Sequence, residues 1–339
     1  MINRLRVPVH FKIQSGTGYD SNFLKLSNSE LDEISFYPSL LGDSESSSSL
    51  ILKHSFSLKY NPYLVNNYET RLAFKMINSN YISSNDKTYS SFSFYLSQNL
   101  GNYEWLKWSY SFMPKYYLRD YRDRDDIIIK ADTDAILHHC YFSQGSTTLS
   151  YSKWFLVKRT WIEGILNYKT QYYNPDFTEF NLNISSISMK ISSNYYKKYS
   201  AKVNFTQSFA ENTTYQNGLK STEDINRGYE QQYISIMIDG KKIPLIIVQN
   251  LGIQYSIAFR NYSSDIESDL LHHNRSHTEE KINCWFAGKL HGSVDYRVDC
   301  SHRYRNAVSD IIWVEDLKDF NKMEYYFTLS YEFSTDMLY

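Results

Sequence analysis

The chain has 339 residues and a net charge of -1, so it lacks the basic excess of nucleic-acid-binding proteins, and we expect no nucleic acid among its partners. Its mean hydropathy is -0.51, and no run of about 18 apolar residues is present, which excludes a protein that crosses a membrane with helices. Tyrosine is abundant (32 residues) and proline scarce (6 residues), as is typical of β-rich chains, because aromatic side chains suit a pleated surface and proline removes a ladder hydrogen bond.

Alternating apolar and polar side chains predict about fourteen strands and almost no helix. Successive side chains of a strand point to opposite faces, so this alternation gives each strand one apolar and one polar face. The predicted strands include the segments 7–14, 50–60, 71–76, 91–97, 106–112, 162–168, 180–193, 199–206, 234–238, 251–259, 294–299 and 322–333, with two more preceding the connections Lys153–Lys158 and Gly288–Ser293. In the segment 180–193, Ile187 falls on the face opposite to Ile184, and a β-bulge would explain this switch.

The connections between the predicted strands alternate in length. The stretch 22–49 is too polar for a packed core and predicts a long loop, and long polar links also follow the fifth, ninth, eleventh and thirteenth strands. Links after the even-numbered strands are short, as at the Gly101-Asn102 turn. This parity is typical of an outer-membrane barrel with tight periplasmic turns and longer extracellular loops, whereas a soluble Greek-key sandwich has no reason to keep it.

We therefore predict an all-β fold: one antiparallel, up-and-down transmembrane β-barrel of about 14 strands over residues 1–339, in the bacterial outer membrane. Residues 334–339 are a candidate C-terminal tail. The first residues contain no apolar core of a signal peptide, so we expect the export signal of such a protein to lie upstream of this chain.

Three short motifs resemble a known group of proteins. They are GTGYDSN at Gly16–Asn22, PKYYLRDYRDRD at Pro114–Asp125 and SYEF at Ser330–Phe333. With them, the chain resembles the barrel of the surface lipoprotein assembly modifiers, or barrels encoded with exopolysaccharide export systems, in Gram-negative bacteria. The resemblance implies outer-membrane lipid and the barrel-assembly machinery as partners, with a periplasmic repeat-domain partner also possible.

The resemblance also implies an assembly signal in the last strand, with Tyr331 and Phe333 as its residues. Two features depart from the usual pattern of that signal. Thr328 occupies a place where glycine is common, and the six residues STDMLY follow Phe333. The end of the signal is therefore either Phe333 or Tyr339.

No catalytic motif is present, and we predict neither enzymatic activity nor a cofactor or metal. His138-His139 and His272-His273 are adjacent pairs whose members point in opposite directions in a strand, so we expect solvated side chains rather than metal ligands. A charged extracellular loop is favoured over a cation site for the acidic run of Asp120, Asp123, Asp125 and Asp126.

Cys284 and Cys300 are predicted on neighbouring strands. They could form a disulfide, although two small outward-facing residues are the favoured interpretation.

The polar faces of the strands predict a mildly basic lumen. The inward cations are Lys53, Lys59, Arg71, Lys75, Lys107, Lys202, Arg260, Lys281, Arg297 and Arg303, and the opposing carboxylates are Glu163, Asp295, Asp299, Glu324 and Glu332. Arginine and lysine rings in a pore favour anions. Alternatively, these charges pair across strands and only stiffen the wall.

Three functions follow from this pattern. The first is an outer-membrane channel or export component that passes a substrate through a polar lumen. The second is a non-conducting barrel that serves as a surface anchor or as an accessory of a secretion or polysaccharide system. The third is a soluble all-β carbohydrate-binding or hydrolytic protein that uses paired carboxylates.

Overall fold

Antiparallel strands dominate the computed structural model, which describes residues 6–122, 137–155, 159–195, 198–213, 225–241 and 248–338. The strands are β1 (Arg6–Asp20), β2 (Ser49–Tyr60), β3 (Tyr63–Val65), β4 (Tyr68–Tyr81), β5 (Ser84–Gly101), β6 (Glu104–Arg122), β7 (Leu137–Phe155), β8 (Thr160–Tyr173), β9 (Leu182–Tyr195), β10 (Tyr199–Asn212), β11 (Tyr229–Lys241), β12 (Asn250–Tyr262), β13 (Ser276–His291), β14 (Val294–Val308) and β15 (Phe320–Leu338). Two short α-helices, α1 (Asn28–Glu33) and α2 (Ile312–Lys318), and two 3₁₀ segments, Pro38–Leu41 and Pro175–Phe180, lie in the connections. Neither α-helix has the length and apolarity needed to cross a membrane.

The strands close into a ring. From β4 to β15 each strand pairs with its chain neighbour, β15 pairs with β1, β1 with β2, and β2 with β4. The three-residue β3 pairs only with β4, so the closed antiparallel barrel has 14 strands. This confirms the predicted fold class.

The outer face of the barrel is apolar and its inner face is polar. On β12, Leu251, Ile253 and Phe259 point outward and are exposed, whereas Ser256 points inward and is buried. An apolar band of this extent around a closed barrel is the surface that meets lipid in outer-membrane barrels. The barrel is therefore of the outer-membrane type, and the predicted facing of β12 is correct.

The two ends of the barrel carry different connections. The end at which β1 finishes, here called the upper end, carries the connections 21–48, 174–181, 263–275 and 309–319 as well as the tight link 82–83. The described connections of the lower end are 61–67, 102–103 and 292–293. This asymmetry confirms the predicted parity, and in outer-membrane barrels the end with the longer loops is extracellular.

The long connection 21–48 forms a packed core, contrary to expectation. Ser27 starts α1 through a capping box, in which its hydroxyl accepts from the Glu30 amide and its own amide donates to the Glu30 carboxylate. Phe23 and Leu26 are buried inside the barrel mouth, against Ile51. The polar composition of the stretch concealed these apolar residues.

The face switch in β9 occurs without a bulge. The register of β9 with β8 and β10 is continuous, so Ile187 points outward and Leu182 and Ile184 point inward. The two inward side chains pack in an apolar cluster with Tyr229. The predicted bulge is wrong. The prediction assumed that inward side chains are polar and face water, whereas apolar side chains pack against one another in the upper lumen.

Two smaller features complete the wall. β15 continues through Ser334 to Leu338 and pairs with β1 over this whole length, so the candidate tail extends the last strand. Cys284 and Cys300 are register partners on β13 and β14, as predicted, and both thiols are free.

Candidate functional site

Two cavities lie inside the barrel. The central cavity, of about 470 Å³, is lined by one continuous arc of strands that runs from β4 through β2, β1 and β15 to β11, across the barrel from β4. The upper cavity, of about 390 Å³, lies between β6–β9 and β11–β14, with loop residues from the upper end completing its wall. Because strands from opposite sides of the barrel line each cavity, both belong to the lumen.

The central cavity contains four of the predicted lumen cations, namely Lys53, Lys75, Lys281 and Arg297. Its carboxylates are Asp299 and Glu324. Arg297 donates to Asp299 through Nε and Nη2 (2.8 and 2.6 Å), and Lys281 Nζ lies 3.9 Å from Glu324. Lys53 and Lys75 form no ion pair within the described residues, so this cavity keeps a positive excess.

Four other predicted lumen cations lie on the wall beyond the two cavities: Lys107, Arg71, Lys59 and Lys202. Lys107 Nζ donates to Glu163 (2.6 Å), which Lys190 also approaches. Arg71 pairs with Glu69 on its own strand and stacks over Trp105.

Lys59 lines a small space beside Lys12 and Glu332. Among the described residues, Lys202 approaches only the sulfur of Met237 (3.8 Å). The alternative of charge pairing in the wall thus describes Lys107 and Arg71 but neither Lys59 nor Lys202.

The upper cavity is the most basic part of the described lumen. Its lining includes nine cations and, within the described residues, a single carboxylate, Glu279. The cations are Lys25, Arg119, Lys169, Arg227, Arg260, Arg275, Arg303, Arg305 and Lys318. Only Arg260 and Arg303 were predicted.

Five of the seven other cations escaped prediction for two reasons. Lys25, Arg227, Arg275 and Lys318 lie in connections, which have no alternation from which a facing could be read. Arg119 lies on β6 beyond two register shifts against β7, which break the alternation.

Aromatic rings hold several of these guanidinium groups. Arg260 lies 3.9 Å from the ring centre of Tyr229 and donates to Gln231. Arg275 lies 3.9 Å from the ring centre of Tyr262. Stacking against a tyrosine face is favourable for arginine and fixes the plane of its donors.

Two carboxylates neutralise part of the positive charge. Glu279 accepts from Arg303 (2.7 Å to Nε) and from Arg305 (2.7 Å to Nη2). Glu30, from α1, accepts from Arg119 Nη1 at 2.9 Å. The remaining cations of the cavity have no carboxylate partner among the described residues.

The loop lysines of the upper cavity titrate abnormally. Burial, with the charges of Arg119 and Arg275, lowers the pKa of Lys318 to about 7. Burial, with Arg303 and Arg305, also holds the pKa of Lys25 well below its usual range. The positive charge of this cavity therefore depends on pH near neutrality.

The predicted histidine and aspartate candidates have different surroundings. His272 is buried, not solvated; its Nδ1 lies 2.8 Å from Asp269, and burial lowers the pKa of His272 to about 4. His139 Nδ1 lies 2.8 Å from Asp120 Oδ1, while His138 lies 3.9 Å from Asp176. Asp123, Asp125 and Asp126 lie outside the described residues.

One cluster of metal-ligand types is present in the described part of the chain. Ligand atoms of Asp43, Asp86 and His139 lie within 4.8 Å of one another at the upper rim. Lys115 Nζ lies 3.8 Å from Asp86 and supplies positive charge there.

The residues of the expected assembly signal lie on the outer face. Tyr331 and Phe333 are exposed on β15, and Phe333 stacks on Phe11 of β1 with ring centres 5.0 Å apart. Both therefore lie at the seam where the first and last strands meet.

No protein-family model matches the chain, and no curated protein matches it. Among solved structures, the outer-membrane channel DcaP of Acinetobacter baumannii is 9% identical, with a TM-score of 0.49, over 96% of this chain and 97% of that chain. The anion-selective porin of Comamonas acidovorans is 7% identical (TM-score 0.45, 96% and 99%). OccK2 of Pseudomonas aeruginosa is 8% identical (TM-score 0.42, 96% and 98%).

Proposed function

We propose that the protein is an outer-membrane channel that passes small anionic solutes. The observation that carries this proposal is the excess of cations in both lumen cavities: four against two carboxylates in the central cavity and nine against one in the upper cavity, counted over the described residues. Positive charge in a narrow, low-dielectric passage lowers the barrier for anions and raises the barrier for cations.

The cations form a path along the barrel axis. An anion entering from the upper end meets the upper cavity first, then Lys53 and Lys75 of the central cavity, and finally Lys59 near the lower end. Several weak sites in sequence permit both entry and release, which conduction requires.

Ion selectivity in planar lipid bilayers tests the proposal. Under a KCl gradient we expect the reversal potential to lie between zero and the equilibrium potential of chloride. The double variant Lys53→Gln/Lys75→Gln should move this potential towards zero. Lys153→Gln is the matched control, because Lys153 pairs with Glu104 on the outer side of the wall. A cation-selective current would overturn the proposal.

A second candidate is a non-conducting barrel that acts as an anchor or accessory subunit. It is favoured by the packing of the connection 21–48 inside the barrel mouth, where Phe23, Leu24 and Leu26 are buried. The absence of any steady current from inserted protein would select this candidate. For this candidate we also propose a periplasmic repeat-domain partner and a role in lipoprotein or polysaccharide export, which co-purification from outer membranes would test.

The soluble alternative is disfavoured by the outward apolar band. We expect the chain to require detergent for extraction, to migrate differently before and after heating, and to depend on lipid and the barrel-assembly machinery. Extraction into plain buffer would overturn the membrane location.

A further inference from the structure

Arg275 has buried donors without acceptors. It immediately precedes β13, it is 5% exposed, and it lines the upper cavity with its guanidinium stacked on Tyr262. Within the described residues, its Nε and Nη1 atoms have no hydrogen-bond partner. Leaving charged donors buried and unpaired is costly, so these two atoms indicate a missing acceptor.

The neighbouring carboxylates are already engaged. Glu279 accepts from Arg303 and Arg305. Asp269 accepts from the amide of Asn226 and lies 2.8 Å from His272. The acceptor for Arg275 is therefore expected from outside the described chain.

The cavity supplies more positive charge than one carboxylate would balance. Besides Arg275, Lys25, Lys169 and Lys318 line it without an ion pair among the described residues. A phosphate dianion matches this charge, and its oxygens are strong acceptors for the charged donors of an arginine.

The cavity also has apolar walls. Leu24, Leu271 and Leu317 line it together with tyrosine rings. A volume of about 390 Å³ lies in the range of small-molecule sites, in which apolar walls surround a few well-placed polar groups. A sugar-sized body attached to the anionic group would fit such a wall.

We propose that the upper cavity binds a small organic phosphate, with the unpartnered guanidinium donors of Arg275 as ligands of the phosphate group. This inference rests on the proposed function, since it names the class of anion that the channel admits. Lys318 and Lys25 face the same space, and a bound dianion would favour their charged forms.

Binding of a dianion in this cavity should change the protonation of Lys318. Lys318 faces Arg119, Arg275, Tyr262 and Glu30, and its pKa is lowered to about 7. A bound dianion raises that pKa, so binding at about pH 8 is accompanied by proton uptake. Binding at the protein surface, away from Lys318, would not cause this proton uptake.

Isothermal titration calorimetry of the full chain in detergent tests the site, with glucose 6-phosphate, glucuronate and glucose as probes. We expect glucose 6-phosphate to bind more tightly than glucuronate and glucose not to bind. Arg275→Gln should weaken glucose 6-phosphate binding about tenfold or more. Arg275→Lys, which keeps the charge but removes the guanidinium donors, should weaken it less, and Lys153→Gln should have no effect.

Calorimetric titrations at about pH 8 in buffers of different ionisation enthalpy measure the proton uptake on binding. The Lys318→Gln variant should take up fewer protons. Heat-modifiable migration confirms that each variant folds, and Lys318→Gln tests the site independently if Arg275→Gln does not fold. Unchanged binding by both variants, or tighter binding of glucuronate than of glucose 6-phosphate, would overturn the proposed site.

The bilayer measurement separates this inference from the proposed function. An anion-selective current without glucose 6-phosphate binding overturns the site and leaves the channel. Binding without any current overturns the channel and leaves the site.

Discussion

Arg119 of β6 and Glu30 of α1 form an ion pair across the upper mouth of the barrel, with Nη1 and Oε1 2.9 Å apart. Glu30 also completes the capping box that starts α1. One carboxylate therefore both stabilises the short helix and joins the connection 21–48 to the barrel wall, where that connection narrows the lumen.

Replacing Glu30 with alanine should release this connection from the wall. Removing one partner of a buried ion pair costs about 3–5 kcal/mol, because the other charge is left uncompensated. We expect a larger and noisier single-channel conductance, and faster hydrogen exchange in residues 26–33. Glu33→Ala, on the exposed side of the same helix, is the control, and an equal change in both variants would argue against this role of the ion pair.

The facing of β12 gives a second prediction. Phe259 is 43% exposed on the apolar band and Ser256 is 8% exposed towards the lumen. Phe259→Asp should destabilise the barrel by about 3 kcal/mol, because it removes an apolar side chain and places a charge in lipid. Ser256→Asp should fold normally. Urea unfolding in lipid vesicles measures both. Equal tolerance of the two would contradict this assignment of the faces, and a larger loss for Ser256→Asp would reverse it.

The pKa of Lys318, lowered to about 7, gives a pH dependence of selectivity. Lys318 is charged below this pKa and neutral above it, so the anion-to-cation permeability ratio should fall as the pH rises from about 6 to about 8. His272, with a pKa of about 4, stays neutral over this range. Reversal potentials across the pH series measure the effect, and the Lys318→Gln variant should show a flatter profile.

The expected assembly signal can be separated from lipid contact. Phe333→Ala should reduce the folded fraction in cells more than Phe327→Ala, which truncates an exposed aromatic side chain on the same strand face. Refolding into vesicles without any assembly machinery should differ little between the two. Equal defects in cells would exclude Phe333 from the signal and direct attention to Tyr339.

The alternation of apolar and polar residues predicted the barrel because adjacent side chains of a strand face lipid and water in turn. This alternation is regular along β12, so Phe259 and Ser256 were assigned to the correct faces. It fails at the upper end, where Ile184 faces inward and packs near Tyr262. Side chains there pack against one another or, like Ile51, against the folded connection 21–48, and not against water.

The upper cavity was only partly predictable for the same reason. Arg260 and Arg303 lie on strands, and their facing followed from the pattern. Lys318 and Arg275 lie in connections, whose conformation depends on contacts with distant segments such as α1. Such contacts cannot be predicted from the pattern of neighbouring residues in the sequence.

The seam between β1 and β15 has a consequence for the order of folding. Lys12 and Glu332, which pair across it at 2.5 Å, are 320 positions apart in the chain. Contacts of such separation form late, since the intervening chain must first be ordered. Until then β1 and β15 each present an unpaired ladder edge, which can recruit another chain. The vulnerable species for aggregation is therefore the nearly complete, unclosed barrel, and the time that the chain spends in this state should govern the yield of folded protein.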